Sequence, residues 1–421
     1  MALGASFTNV EKALKYKYDK GFRETLAWSK GPLAAMMNRV RWGGRRCKIP
    51  LRIGNSAARS VDFQKSKTKA STKYTRINEF ELNWARDYAV AKVDGLLMDA
   101  ASMEEDRLFD EMSEQLDGGL DAVMHSYSTK LYRNGYGAIG VIDAATTIGS
   151  TDIILQKAED LFLFEVDMDI VLSQSDHGHV LKSGGATATV AALFEDSQGR
   201  GIVRLTANIN TAIAAAAVGD TIFPDGDRQD SATPSLLAIP GLDAWLLPAT
   251  ATDFTGINRS LDFRLQGTYV DATSGMEEEE ALITAVTKVG KYGGKPRKAF
   301  FNPTRYQNLI MQGMTRYRPI TIKGPAGIGF EGVAMQTSYG EVEVFSDPYC
   351  PVRRAYVIDP NAFKYYGAGS ADVPRFLNHD KAGNVLRDDG DDGVQARMGY
   401  YGMTGCNAPI KNAVIVFEAG A

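Results

Sequence analysis

The chain has 421 residues, 44% of them hydrophobic and 10% aromatic, with a net charge of −4; this composition excludes a disordered protein and supports a sizeable core divided among two to four domains or subdomains. The charge is unevenly placed: residues 11–76 hold 18 Lys or Arg against four acids, and the remainder holds 29 basic and 47 acidic residues, so a basic arm of +14 is joined to an acidic body of −18. Cys47, Cys350 and Cys406 are far apart and form no C-x-x-C pair, and neither a secretion signal nor a long apolar run occurs, which argues against a disulfide scaffold, a zinc site, usual secretion or a membrane span and points to a reducing compartment.

Residues 1–44 read as an irregular arm with a little helix over 10–18, interrupted at Gly21, Gly31-Pro32 and Gly43-Gly44, that makes no core of its own. Residues 47–53 and 74–93 read as two long strands of a ribbon, joined by a stretch containing Lys65, Lys67, Lys69 and Lys73. A two-stranded ribbon of this length is marginal alone and should rest on something else.

A long helix follows. Ser102 and Glu105 form a capping-box pattern, Glu104, Glu105 and Asp106 suit the positive end of the helix dipole, and Asn134-Gly135 supplies the stop. Leu108, Met112, Leu116, Leu120, Val123, Tyr127 and Leu131 form one apolar stripe, with a weak point expected at Gly118-Gly119. At 1.5 Å per residue such a helix is roughly 50 Å long.

From 152 to 227, short strands between Gly, Asp and Ser turns suggest an inserted β-barrel or sandwich. An α+β region comes next, with helices over 277–291 and 303–311 and strands over 296–301, 341–345 and 355–359, and residues 395–417 alternate into a closing pair of strands.

Motifs for catalysis are sparse. The four histidines form no H-E-x-x-H pattern, and neither a G-x-x-x-x-G-K-[ST] loop nor a G-x-S-x-G elbow occurs. His177-Gly178-His179 suggests a metal pair but lacks a third ligand nearby and reads as surface. Residues 388–393, D-D-G-D-D-G, have the wrong spacing for a calcium loop and read as a solvated acidic turn, and residues 324–329 form a glycine-rich flexible loop.

The opposite charges make assembly the first functional expectation, because opposite fields steer association. Lys65, Lys67, Lys69 and Lys73 are expected to meet the acidic body of another copy, including Glu104, Glu105, Asp106 and Asp110 at the head of its long helix. Phosphates of nucleic acid are the other partner open to these lysines. Arg39, Arg41, Arg45 and Arg46 beside Trp42 either face nucleic acid or pin the arm to another copy.

The strings F-T-G-I-N-R-S at 254–260, F-N-P-T-R-Y at 301–306, S-D-P-Y-C-P at 346–351 and G-Y-Y-G-M-T-G-C-N-A-P at 399–409 occur in an order of segments that, over essentially the whole chain, resembles the major capsid proteins of tailed bacteriophages. The resemblance implies an α+β phage major capsid fold with an N-arm (1–44), E-loop hairpin (45–98), spine helix and start of the P-domain (99–151), small β-barrel-like insertion (152–228), P-domain return (229–275), A-domain (276–394) and C-terminal P-domain strands (395–421). It implies a non-enzymatic protein without cofactors that forms pentamers and hexamers, closing into an icosahedral shell around double-stranded DNA in a virion assembled in the host cytoplasm. Its implied partners are itself, a separate scaffolding protein, a portal at one vertex, a decoration protein and the packaged DNA, with no membrane. In some members an E-loop lysine is joined covalently to an asparagine; Asn407 and Asn412 stand in a plausible region here. The alternatives are an encapsulin-type cellular shell with the same fold, or a soluble hydrolase with an acidic site.

Overall fold

The computed structural model describes residues 31–94, 111–227, 236, 238–248, 253–313, 318–323, 329–368, 374–377, 386–387 and 393–418. The expected helix over 10–18, the head of the long helix with Ser102, the acidic turn and the body of the glycine-rich loop lie outside them.

A seven-stranded sheet forms one layer, in the order β13 (Thr268–Ala272), β23 (Ala413–Phe417), β18 (Arg354–Ile358), β14 (Lys298–Phe301), β17 (Gly340–Ser346), β16 (Gly329–Thr337) and β15 (Arg318–Lys323). Its central strands are near-continuous apolar runs such as Ala413-Val414-Ile415-Val416-Phe417, as strands covered on both faces require. Helix α6 (Glu278–Lys291) places Ala281, Leu282, Ala285, Val286 and Val289 in the same buried cluster as Val270, Val344 and Ile415. Three acids in its first turn and two lysines in its last complement the helix dipole. Helix α7 (Pro303–Gly313) packs beside it, and Arg305 joins the two through Glu278 at 3.1 Å.

The second sheet is organised by one long strand, β22 (Gly393–Cys406). It pairs with β19 (Phe363–Ala368), β20 (Arg375–Phe376), β21 (Leu386–Arg387) and β4 (Ala85–Asp94), and β1 (Arg39–Trp42) adds parallel to the outer edge of β19. Helix α3 (Glu111–Lys130) packs across β4 and β22. It runs through Gly118-Gly119 without interruption: a Cβ at Gly119 would stand 2.4 Å from the Met398 Cε, so this glycine serves the close approach of helix and sheet.

Two expectations about strands are corrected here. The return strand of the ribbon is not continuous: β2 (Cys47–Gly54) pairs with β3 (Arg76–Leu82), whereas β4 leaves the ribbon after Asn83-Trp84 to join β22. The C-terminal strands do not pair with each other, because the turn over residues 407–412 delivers β22 and β23 to different sheets. Alternation reveals a strand's exposed and buried faces but not its partner.

The inserted unit is a six-stranded sheet in the order β5 (Gly140–Val141), β10 (Thr221–Pro224), β7 (Asp169–Ser173), β8 (Ala188–Glu195), β9 (Gly201–Leu205) and β6 (Asp152–Ile154). A single bridge between Ile142 and Leu155 links its outer strands, so the sheet curls without a full closing ladder. Helix α4 (Ile209–Ala212) helps close a separate core around Ile153, Ile170, Val190, Val203 and Ile222.

Candidate assembly surface

The described part of the arm is built into the body. Helix α1 (Pro32–Met36) buries Leu33 and Ala34, Met37 is buried after it, and β1 continues into the sheet. Fully buried Asp347 holds this base: its carboxylate accepts from the Leu33 N–H (3.1 Å), the Tyr132 hydroxyl (2.7 Å) and the Tyr349 N–H (3.0 Å). Burial raises the Asp347 pKa, and those donors pull it back. The last part of the arm thus makes no core of its own but joins the core of the body. Proline at the first helical position and the following Leu-Ala-Ala-Met were the available signals.

The ribbon stands on the same core. Ile49, Leu51, Phe80 and Leu82 are buried at its base, where Phe80 meets Trp245 of α5 (Leu242–Leu246) edge to face at 5.1 Å. The Glu81 N–H donates to the Thr255 carbonyl (2.9 Å) in the turn between β11 (Asp253–Phe254) and β12 (Ile257–Asn258). Cross-strand charge completes the base: Arg46 pairs with Glu81 at 2.8 Å and Lys48 with Glu79 and Glu81. Trp42 stacks on Trp84 at 3.7 Å, and the Trp84 indole donates to the Gly44 carbonyl.

Beyond the base, the ribbon leaves the body. The lysine-rich stretch, expected as a loop, contains helix α2 (Phe63–Ala70), whose N-cap Asp62 accepts from the Gln64 and Lys65 N–H groups. Val61 is 102% exposed, Phe63 75%, Tyr74 74% and Ile77 73%. Four large apolar groups uncovered on one projection mark a surface built to be covered.

Arg39, Arg41, Arg45, Lys65, Lys67, Lys69 and Lys73 are all exposed. Arg46 is drawn into an ion pair with Glu81 of its own ribbon. Glu104, Glu105, Asp106 and Asp110 lie outside the described residues. Val61 and Phe63 were hidden by reading the whole stretch as lysine-rich; hydrophobic residues beside Asp62 were the signal that could have found them.

Residues 188–384 match the family model described as SU10 major capsid protein. The capsid asymmetric unit of cyanophage A-1(L) shares the fold: the match covers 96% of this chain and 97% of that chain with a TM-score of 0.50 at 9% sequence identity. The fold is that of a phage capsid protein. The capsid of a native GTA particle also aligns, over 99% of this chain and 100% of that one (10% identity, TM-score 0.48), as does the SrpI encapsulin of Synechococcus elongatus PCC 7942, over 98% and 96% (9% identity, TM-score 0.44). No curated protein matches the sequence.

The matched family and fold are structural rather than enzymatic. Among the chain's two candidate crosslinking asparagines, Asn407 is exposed, whereas Asn412 is fully buried and engaged with the Asp359 N–H and the Ala408 carbonyl. Only Asn407 is accessible to a neighbouring copy. His179 is held by Ser175 at 3.0 Å and His177 packs on Tyr136 at 4.0 Å, so the His-Gly-His turn is tied into local packing.

Proposed function

We propose that this chain is a tailed-phage major capsid protein that assembles as pentamers and hexamers into an icosahedral shell enclosing double-stranded DNA, with the ribbon of each copy lying on the body of the next. The observation that supports this reading is the uncovered apolar tip, Val61, Phe63, Tyr74 and Ile77, carried beside Arg59, Lys65, Lys67, Lys69 and Lys73 on a chain whose body is acidic. Covering one such Val or Phe is worth about 1.5–3 kcal/mol, and opposite charge steers the encounter. Repetition around a closed shell multiplies modest contacts through effective concentration. A separate scaffolding protein guides assembly in the host cytoplasm, a portal occupies one vertex, a decoration protein has the insertion as its exposed platform, and the shell interior meets DNA without sequence preference.

Replacing both tip residues, Val61→Ser with Phe63→Ser, tests the ribbon's part. Because neither side chain is buried in the single chain, thermal unfolding of the dispersed subunit is expected to change by less than about 0.5 kcal/mol. Sedimentation should show loss of large assemblies. Assemblies formed at the unmutated level by the double variant would rule out the ribbon tip as a contact.

A further inference from the structure

Two stretches stand where the inserted sheet joins the body: residues 165–169, entering β7, and residues 225–227, leaving β10. The Asp225 N–H donates to the Asp169 carbonyl at 2.9 Å and holds them side by side. They carry Glu165, Asp167, Asp169, Asp225 and Asp227, and no Lys, Arg or His. All but Asp227 are exposed, and Val166 among them is 54% exposed. A Cβ on Gly137 would stand 2.3 Å from the Asp227 carbonyl oxygen, so the incoming and outgoing chains close a narrow neck on which these acids lie.

Beside the neck is a cavity of about 220 Å³, with Glu165 and Asp227 on it and apolar walls from Val123, Ile139, Leu163 and Met168. Its two cations are already committed, Lys130 to Asp87 (2.7 Å) and Asp227 (3.0 Å), and the Arg133 Nη2 to Asp160 (2.6 Å). Two polar atoms of lining residues lack a hydrogen-bond partner among the described residues: the hydroxyl of Thr129, a residue only 7% exposed, and the Nε of Arg133. Buried polar groups are nearly always satisfied, so these two call for an occupant.

The geometry points to the ribbon tip of a second copy as that occupant, an inference that rests on the shell reading above and names the place where the ribbon lands. Phe63 enters the cavity; an apolar cavity of about 150 Å³ accepts benzene, so this larger one has room for a phenyl ring. Val61 meets Val166, and Arg59, Lys65, Lys67 and Lys69 face the acids of the neck. Carbonyls of the irregular residues 59–61 accept from the Thr129 hydroxyl and the Arg133 Nε. The chain's own ribbon does not occupy this seat, because Val61 and Phe63 are 102% and 75% exposed. Nucleic acid is the wrong sign for it, since phosphates would face the same acids.

Glu165→Lys with Val166→Lys, made in the full chain, tests the seat; both positions are exposed, and thermal unfolding of the dispersed subunit confirms that the variant folds. Sedimentation is expected to show large assemblies reduced at least about tenfold, and adding Lys65→Glu with Lys67→Glu to the same chain is expected to restore them to within about threefold of the unmutated level. Such rescue requires the two surfaces to meet. Assembly of the neck variant at the unmutated level, with Val61→Ser and Phe63→Ser still abolishing it, would overturn the seat while leaving the ribbon contact in place. A loss that the ribbon reversal does not restore would assign the acids to a different partner and overturn the pairing. Absence of assemblies from the unmutated chain would overturn the shell reading itself.

Discussion

Two residues show how single side chains set the limits of this fold. His125 is 7% exposed, and burial lowers its pKa from 6.5 to about 4, so it is neutral in the folded chain where an unfolded chain would already bind a proton. Its contribution to stability is therefore complete above pH 6.5 and is lost as pH falls toward 4, amounting to about 3 kcal/mol across that window. His125→Phe, which keeps a ring against Phe162 and Tyr349, is expected to flatten this limb of the denaturant-unfolding pH profile; an unchanged slope between pH 6.5 and 4 would refute the assignment. Gly399 acts through space rather than charge. A Cβ there would stand 2.2 Å from the Asp87 carbonyl oxygen of the paired strand, a backbone atom that cannot turn aside. Gly399→Ala is expected to cost about 1–3 kcal/mol in equilibrium unfolding. The same crowding explains the string G-Y-Y-G-M-T-G: Gly402 faces the Tyr365 ring, and Gly405 faces Tyr366, Ile49 and Leu82 at the ribbon base.

At the level of elements, the arm divides at Gly31. A chain lacking residues 1–30 keeps Leu33, its N–H bond to Asp347 and the β1–β19 pairing, whereas one lacking residues 1–42 loses all three and leaves buried Asp347 with only its Tyr132 and Tyr349 donors. The longer truncation is expected to unfold several kcal/mol below the shorter one. Equal midpoints for the two truncations would show that the arm base is not part of the core. Much of the element order was legible in the sequence, because α6 has a clear apolar stripe and charged ends, and β18 and β23 are short apolar runs. What was not legible was pairing. Asn83-Trp84 carries no glycine or proline to announce that the strand changes sheets, and Trp84 stays at the switch because Trp42 stacks on it. The lysines at 65–69 read as loop because their helix has no buried face, so no apolar periodicity marks it.

Across the whole molecule, the body is acidic and packed around three cores, while the basic ribbon, rooted in one of them through Ile49, Leu51, Phe80 and Leu82, carries Val61, Phe63, Tyr74 and Ile77 away from all of them. The candidate contact residues are recognisable in the sequence as a charge pattern, but the apolar tip proposed to drive the contact emerges only when the ribbon is seen standing clear of the body. Electron microscopy of the purified protein, expressed alone and with candidate scaffolding proteins and examined across salt concentrations, addresses the central claim most directly. The account requires closed shells or regular pentamers and hexamers with each ribbon on a neighbouring body; dispersed single subunits under every condition would contradict it.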